Sequence, residues 1–453
     1  MTDADRPSAN CQPTPPTGDA CGRPAIVKTT RTPSGQIVDW VRRESQAPGG
    51  RIASPPPLSA PDLATGGSTH GAATFELADP AVERGPAGTV PLLRGHASMA
   101  HDGERARPRK RAVDARSLQS RAPRPPVAPP DPLGYYHATT SEWTTCYGCQ
   151  TTLNVWAPEC ELPVDHSLSQ FGIQNYDNGK LQSLEAGWIV SRGQFGDALP
   201  HVFVYFTNDG YVGDQADGVR GYNRDVAGWV QYDENIFPGA LIGGLSQFGS
   251  TQDEITIKFQ LWEGNWWFQV QGIWLGYYPA TLFQGQWPAG TSLGDHASWV
   301  AFWGEVYSGR ADATQTTTDM GSGRFAEEGW QWSAYQRNAR VQTGRAGLLV
   351  DSDGLPSDED SAYYDILQHV RSGSSWGSYF WYGGPGHRPH VSKFRELTGE
   401  VVRIIIGGAG GTLVTIDAQG HIRVIPMPQP DDLRQLAHDP ALLRQRMPLE
   451  NQY

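Results

Sequence analysis

The chain has 453 residues, enough for one large β domain with appendages or for two or three ordinary domains. Residues 1–130 carry 17 Lys/Arg against 12 Asp/Glu, a net of +5, while the remainder carries 19 against 36, a net of −17. An acidic folded part argues against nucleic acid as a partner, because phosphate binding needs a basic face. It suits a soluble protein working at low pH, where protonated carboxylates reduce self-repulsion.

Residues 1–130 hold 20 of the 35 prolines but only one of the 16 tryptophans, Trp40. A segment with so little to bury is expected to be mostly disordered. Its first thirty residues contain no apolar h-region, so no signal peptide is visible in the chain as given. It ends in a basic run, Arg105 to Arg111, followed by the Pro-rich stretch Arg121 to Pro130. This is either a solvated linker or a propeptide with a protease-sensitive junction. No apolar run approaches the roughly 18–20 residues of a membrane span, so no membrane partner is expected.

After Pro130 the composition changes. Short β-rich runs recur between Gly, Asn and Asp residues, at 151–156, 184–191, 202–207, 229–232, 255–262, 266–272, 299–307 and 334–341. Glu263-Gly264-Asn265 joins two of them as a hairpin turn. No long stretch has helical periodicity, so residues 131–390 read as an all-β domain, an antiparallel sandwich or barrel. Residues 391–453 form a small C-terminal extension of three predicted strands, 401–406, 412–417 and 421–425, then a helix over 431–445. Five cysteines are present: Cys11, Cys21, Cys146, Cys149 and Cys160. Cys146-Tyr-Gly-Cys149 is half of a zinc-site spacing, with no second pair to complete four ligands. A disulfide from Cys160 is expected if the protein is exported, and free thiols otherwise.

Serine-hydrolase, Walker, zincin and dinucleotide fingerprints are all missing, and Ser322 in Gly-Ser-Gly reads as a turn residue. Carboxylates remain. Glu185 interrupts the run Leu184–Val190 and Glu305 interrupts Trp303–Tyr307. Each either faces water from the polar side of its strand or is buried at a cost that raises its pKa. Two such groups can divide acid and base duties. On the residues alone, three functions stay open. One is a two-carboxylate peptidase. Another is a glycoside hydrolase using Trp262, Trp266, Trp267, Trp274, Trp299 and Trp303 as sugar platforms. The last is a non-catalytic module binding carbohydrate or protein. Both carboxylates facing one cleft favours catalysis; opposite outer faces favour binding.

An ordered set of segments resembles the neprosin family of glutamic prolyl endopeptidases. They are Leu184-Glu-Ala-Gly-Trp188, Phe206-Thr-Asn-Asp-Gly-Tyr211, Gly264-Asn-Trp-Trp267 with Leu275-Gly-Tyr-Tyr-Pro-Ala280, Asp295-His-Ala-Ser298 with Gly304-Glu-Val306, Met320-Gly-Ser-Gly323 with Glu327-Glu-Gly329, and Tyr382-Gly-Gly-Pro-Gly386. The resemblance spans about Leu133 to Gly386. It implies an antiparallel β-sandwich catalytic domain with two catalytic glutamates and no metal or other cofactor. By motif, those glutamates are Glu185 and Glu305. The implied reaction is acidic-pH hydrolysis on the C-terminal side of proline. One glutamate takes a proton from water while the protonated partner polarises the carbonyl and later protonates the leaving nitrogen. The implied partner is a peptide or proline-rich protein. Family resemblance further implies a secreted zymogen, with residues 1–130 where a pro-region belongs, although they do not match its pattern.

Overall fold

The structure, a computed structural model, describes residues 24–58, 71–94 and 134–393 apart from short breaks, with the backbone of three strands between 401 and 427. The N-terminal part contains β1 (Ile26–Arg31), β2 (Ile37–Arg42), β3 (Gly71–Ala72), β4 (Thr74–Phe75) and β5 (Thr89–Leu93). Strands β1, β2 and β5 form an antiparallel sheet. Composition predicts a mostly unstructured segment here, yet these two stretches are folded. The reason is borrowed burial: Val38, Trp40, Phe75 and Leu77 join the core of the following domain. Gln46 seals the junction, donating to the Gln231 carbonyl at 2.8 Å and accepting from the Gln231 amide at 3.0 Å. The basic run and the Pro-rich stretch lie outside the described residues.

The domain proper begins with β6 (Tyr135–Cys146), β7 (Gly148–Asn154), β8 (His166–Asp177), β9 (Lys180–Val190), β10 (His201–Thr207) and β11 (Arg220–Tyr222). Next come β12 (Val230–Gln231), β13 (Ile242–Gly243), β14 (Asp253–Trp262), β15 (Asn265–Val270), β16 (Ile273–Pro279) and β17 (Ala297–Tyr307). Then follow β18 (Ala334–Gln342), β19 (Leu349–Asp351), β20 (Leu355–Asp358), β21 (Asp365–His369) and β22 (Tyr379–Gly383). One sheet has the order β11-β10-β9-β8-β17-β6-β20; the other runs β12-β16-β15-β14-β7-β18-β22-β21, with β19 beside β18 and β3 beside β14. Apart from β3, which runs parallel to β14, every pairing in the two sheets is antiparallel, as the tight Gly- and Asn-rich connections predict. The β14–β15 hairpin turns on Glu263 and Gly264, both at positive φ (47° and 74°), as a two-residue primed turn requires.

The two sheets pack face to face. Phe171 of β8 meets Phe259 of β14 at 5.1 Å between ring centroids, and Phe206 of β10 meets Tyr278 of β16 at 5.0 Å. Such aromatic pairs add to the burial that holds a sandwich together. Trp266, Trp267, Trp299 and Trp303 are fully buried, so they serve packing rather than presenting open stacking faces. Cys146, Cys149 and Cys160 are buried free thiols, and the bridge expected for an exported protein is not formed among them. Instead the Cys146 thiol donates to the Gly148 carbonyl and Cys160 to that of Val190. At the C-terminal end, β23 (His390–Lys393), β24 (Val401–Gly407), β25 (Gly410–Ile416) and β26 (Ile422–Met427) form a separate antiparallel sheet. It contains the three strands read from the sequence; the expected helix lies outside the described residues.

Candidate active site

Strand register decides where the two glutamates point. Glu185 on β9 sits opposite Gly172 of β8, and Glu305 on β17 sits opposite Leu168 of the same strand. Positions 168 and 172 have the same parity, so in a pleated strand they face the same way. Both carboxylates therefore share one face of the seven-stranded sheet, on strands flanking β8. The opposite face carries Phe171, Ile173, Leu184, Ala186, Val300 and Phe302 into the inter-sheet core. The glutamates are 1% and 2% exposed. The alternation that puts a Glu between apolar residues thus aims it at an enclosed polar layer, not at water.

Glu305 is held from three strands. His137 of β6 lies directly opposite it, with Nε2 at 3.3 Å from Oε2. From β8, His166 Nε2 is 3.1 Å from Oε1, and Gln170 donates its amide to Oε2 at 3.2 Å. Two positions back on β17, the Trp303 indole donates to Oε2, also at 3.2 Å. Glu185 hydrogen-bonds the Ser183 hydroxyl at 2.9 Å. The Trp303 ring links the two carboxylates. Its N–H touches Glu305, while its far edge overlies Gly172 beside the Glu185 stem. A methyl group at position 172 would lie 2.6 Å from Trp303 Cη2 and 3.1 Å from Glu185 Cγ, which is why a glycine stands there.

Tyrosines complete the layer. Tyr205 of β10 lies opposite Glu185, and Tyr222 of β11 lies opposite Tyr205. Burial pushes the Tyr222 hydroxyl well above its ordinary pKa, and the charges of Glu305 and Glu185 add to it, as do Tyr205 and Asp225. One phenol thus senses both carboxylates, so the three groups occupy one enclosed space. Burial likewise raises Tyr135 from the far side of the sheet, helped by Tyr222 and Glu305. Strands β6 and β11 are five positions apart in the sheet order, about 24 Å if it were flat. By register both tyrosines lie on the face that carries the glutamates: Tyr135 opposite Tyr307, and Tyr222 opposite Tyr205, itself opposite Glu185.

The sandwich supports this layer from beneath. Gln336 of β18 is fully buried, and its amide lies 3.1 Å from Ser169 Oγ, 2.9 Å from the Gln170 carbonyl and 3.2 Å from the Trp303 carbonyl. It fixes the backbone beside two of the donors to Glu305. Among the described residues, no group of His, Cys, Asp and Glu has the arrangement to hold a metal ion. Ser322 lies in a turn, as read from its Gly-Ser-Gly setting. Sequence reasoning singled out the two glutamates that register brings to one face, and did not single out their neighbours His137, His166, Gln170, Ser183, Tyr222 and Gln336. The usable signal was the alternation His166-x-Leu168-x-Gln170-x-Gly172, a mixed face of a strand rather than a loop.

Residues 163–385 match the neprosin family model. They form a neprosin-family domain. The matched region contains both glutamates and all of the seven-stranded sheet except β6, and the neprosin-family domain is a glutamic-type peptidase in general kind. Among solved structures, similarity extends to scytalido-glutamic peptidase with a transition state analog inhibitor, at 10% identity and TM-score 0.28, covering 55% of this chain and 97% of that one. A second structure of that peptidase, with a peptide-based transition state analog, gives 8% identity and TM-score 0.26 over the same shares. A glycoside hydrolase family 16 endo-glucanase from Bacteroides ovatus gives 9% identity and TM-score 0.25, covering 55% of this chain and 78% of that one.

Proposed function

We propose that this chain hydrolyses peptide bonds on the C-terminal side of proline, at acidic pH, by two-glutamate activation of water. The observation that carries the reading is the shared, enclosed face: Glu185 and Glu305 flank one strand, and Tyr222 senses both. The pair holds one proton. The ionised glutamate takes a proton from the attacking water as the new C–O bond forms, while the protonated one donates a hydrogen bond to the carbonyl oxygen. When the C–N bond breaks, that second glutamate gives its proton to the nitrogen. The pair ends with one proton, on the other member, and resets by exchange. Both apparent pKa values belong to the pair. The need for one proton gives an acidic optimum.

Preference for proline rests on the family. The burial of both glutamates supports a latent form, since no polypeptide reaches groups that are 1–2% exposed without a rearrangement. On this reading the protein is a secreted zymogen, activated by cutting within Arg105–Arg111.

The test uses the full chain, intact and nicked in that basic run, against a proline-rich protein across about pH 3–7. Cleaved bonds are mapped by mass spectrometry. Cuts after proline, lost in both Glu185→Gln and Glu305→Gln with the fold kept, support the proposal. Cuts after other residues refute the proline preference, and undiminished cutting by either variant refutes the mechanism.

A further inference from the structure

Resting on that two-glutamate reading, the surroundings of the carboxylates distinguish their roles. Glu305 Oε2 receives the Gln170 amide and the Trp303 indole, both at 3.2 Å. An indole N–H and an amide NH2 donate and do not accept, so both favour an unprotonated oxygen. His166 stands at 3.1 Å from Oε1 and His137 at 3.3 Å from Oε2, and all three side chains are at most 2% exposed. The imidazoles are fixed by neighbouring rings. Tyr307 stacks on His166 with centroids 5.5 Å apart, and Tyr135 lies parallel to His137 at 6.2 Å. A carboxylate this close favours the protonated imidazole, while burial opposes it. Glu185 meets the Ser183 hydroxyl, which can donate or accept and therefore suits either protonation state.

We propose that His137 and His166 are positioning residues that keep Glu305 ionised, making Glu305 the base that takes the water's proton and leaving the pair's proton on Glu185. Water then loses its proton to Glu305 as oxygen bonds to the carbonyl carbon. Glu185 donates to the carbonyl oxygen and gives its proton to the departing nitrogen. The other titratable groups around this site among the described residues are Tyr135 of β6, Tyr205 of β10, Tyr222 of β11 and Tyr307 of β17, with Asp225 acting on Tyr222 and Asp165 on Tyr307. None of these carries positive charge, so the two histidines are the groups whose protonation can hold Glu305 as a carboxylate.

The experiment has two arms, run on whichever form of the full chain, intact or nicked, cuts a proline-containing peptide. In the first, kcat/KM is followed against pH for wild type, His166→Gln, His166→Phe and His137→Gln, with folding checked by circular dichroism. Loss of a nearby cation raises a carboxyl pKa, so the acid limb is expected to move up by about 1–3 pH units in His166→Phe. The shift should be smaller in His166→Gln, which keeps an N–H donor and also serves if the Phe variant does not fold. A uniform fall in kcat/KM with the limb unmoved overturns the proposal. In the second arm, NMR follows the His137 and His166 imidazoles through pH in wild type and Glu305→Gln. Both should lose protons at least about one pH unit earlier in the variant, and unchanged titrations overturn the proposal. If wild type cuts nothing at any pH, the peptidase reading fails by itself, and the NMR arm still decides whether the histidines hold Glu305 as a carboxylate.

Discussion

Replacing Gln336 with leucine keeps the side-chain volume roughly constant and removes one amide from the middle of the sandwich. That amide lies within 3.2 Å of Ser169 Oγ and of the carbonyls of Gln170 and Trp303, in a position with no solvent to replace it. Two N–H bonds shared among three acceptors are lost. Each buried polar group left unsatisfied costs about 1–3 kcal/mol, and the added apolar contact of leucine offsets part of this. A net loss of about 2–4 kcal/mol is expected, which for a domain of this size lowers Tm by roughly 5–15 °C. Urea unfolding followed by tryptophan fluorescence measures it as a lower midpoint at unchanged slope. A variant as stable as wild type, or more so, would show that the amide contributes nothing, and the support assigned to β18 would be wrong.

Other consequences are open to measurement. Arg337 makes the ion pair with Glu254 at 2.6 Å, and Glu254 is 5% exposed. Arg337→Leu strands that carboxylate, so about 3–5 kcal/mol should be lost in the same urea assay; a loss below 1 kcal/mol would mean Glu254 reaches solvent. Gly172→Val forces Trp303 away from Glu305 and Glu185, so peptide cleavage should fall on the order of 100-fold while the chain still folds, and an unimpaired enzyme refutes the close-approach argument. Burial raises Tyr135, Tyr222, Tyr278 and Tyr335 well above the ordinary value near 10. Their stabilisation is complete below that pH and is lost as pH rises towards the raised values. Absorbance at 295 nm should therefore show these phenols ionising together with alkaline unfolding, and early ionisation would contradict their burial. With Cys11 and Cys21 changed to serine, Ellman's reagent should find no reactive thiol before unfolding, because burial pushes Cys160 up to about 12 and Cys149 upward as well.

Strands whose burial rests on branched and aromatic residues were readable from the sequence. β10, β14 and β17 fall where the predicted runs lie. The two strands that bring most of the polar site, β6 and β8, were not. His166-Ser-Leu-Ser-Gln-Phe-Gly-Ile-Gln places serines on one face and glutamines on the other, so hydrophobic alternation is weak where the chemistry is dense. β6 reads similarly, with Thr139, Thr140 and Ser141 all buried. Such residues become strand because neighbours on both edges complete their hydrogen bonds, information that lies more than a hundred residues away for the β6–β17 and β8–β17 pairs. The glutamates stood out for the opposite reason. Each is a lone charge in an apolar run, and only register could show that both reach the same face.

The N-terminal strands have a consequence for the order in which the chain assembles. Phe75 pairs with Ile242, and Gly71 with Asp253, so β3 and β4 have no partner until about 170 to 180 further residues have been made. Val38 and Trp40 likewise wait for a core supplied by later strands. Closing such long loops is slow because the entropy cost precedes the contacts that repay it. These early strands therefore settle only after the later ones that receive them.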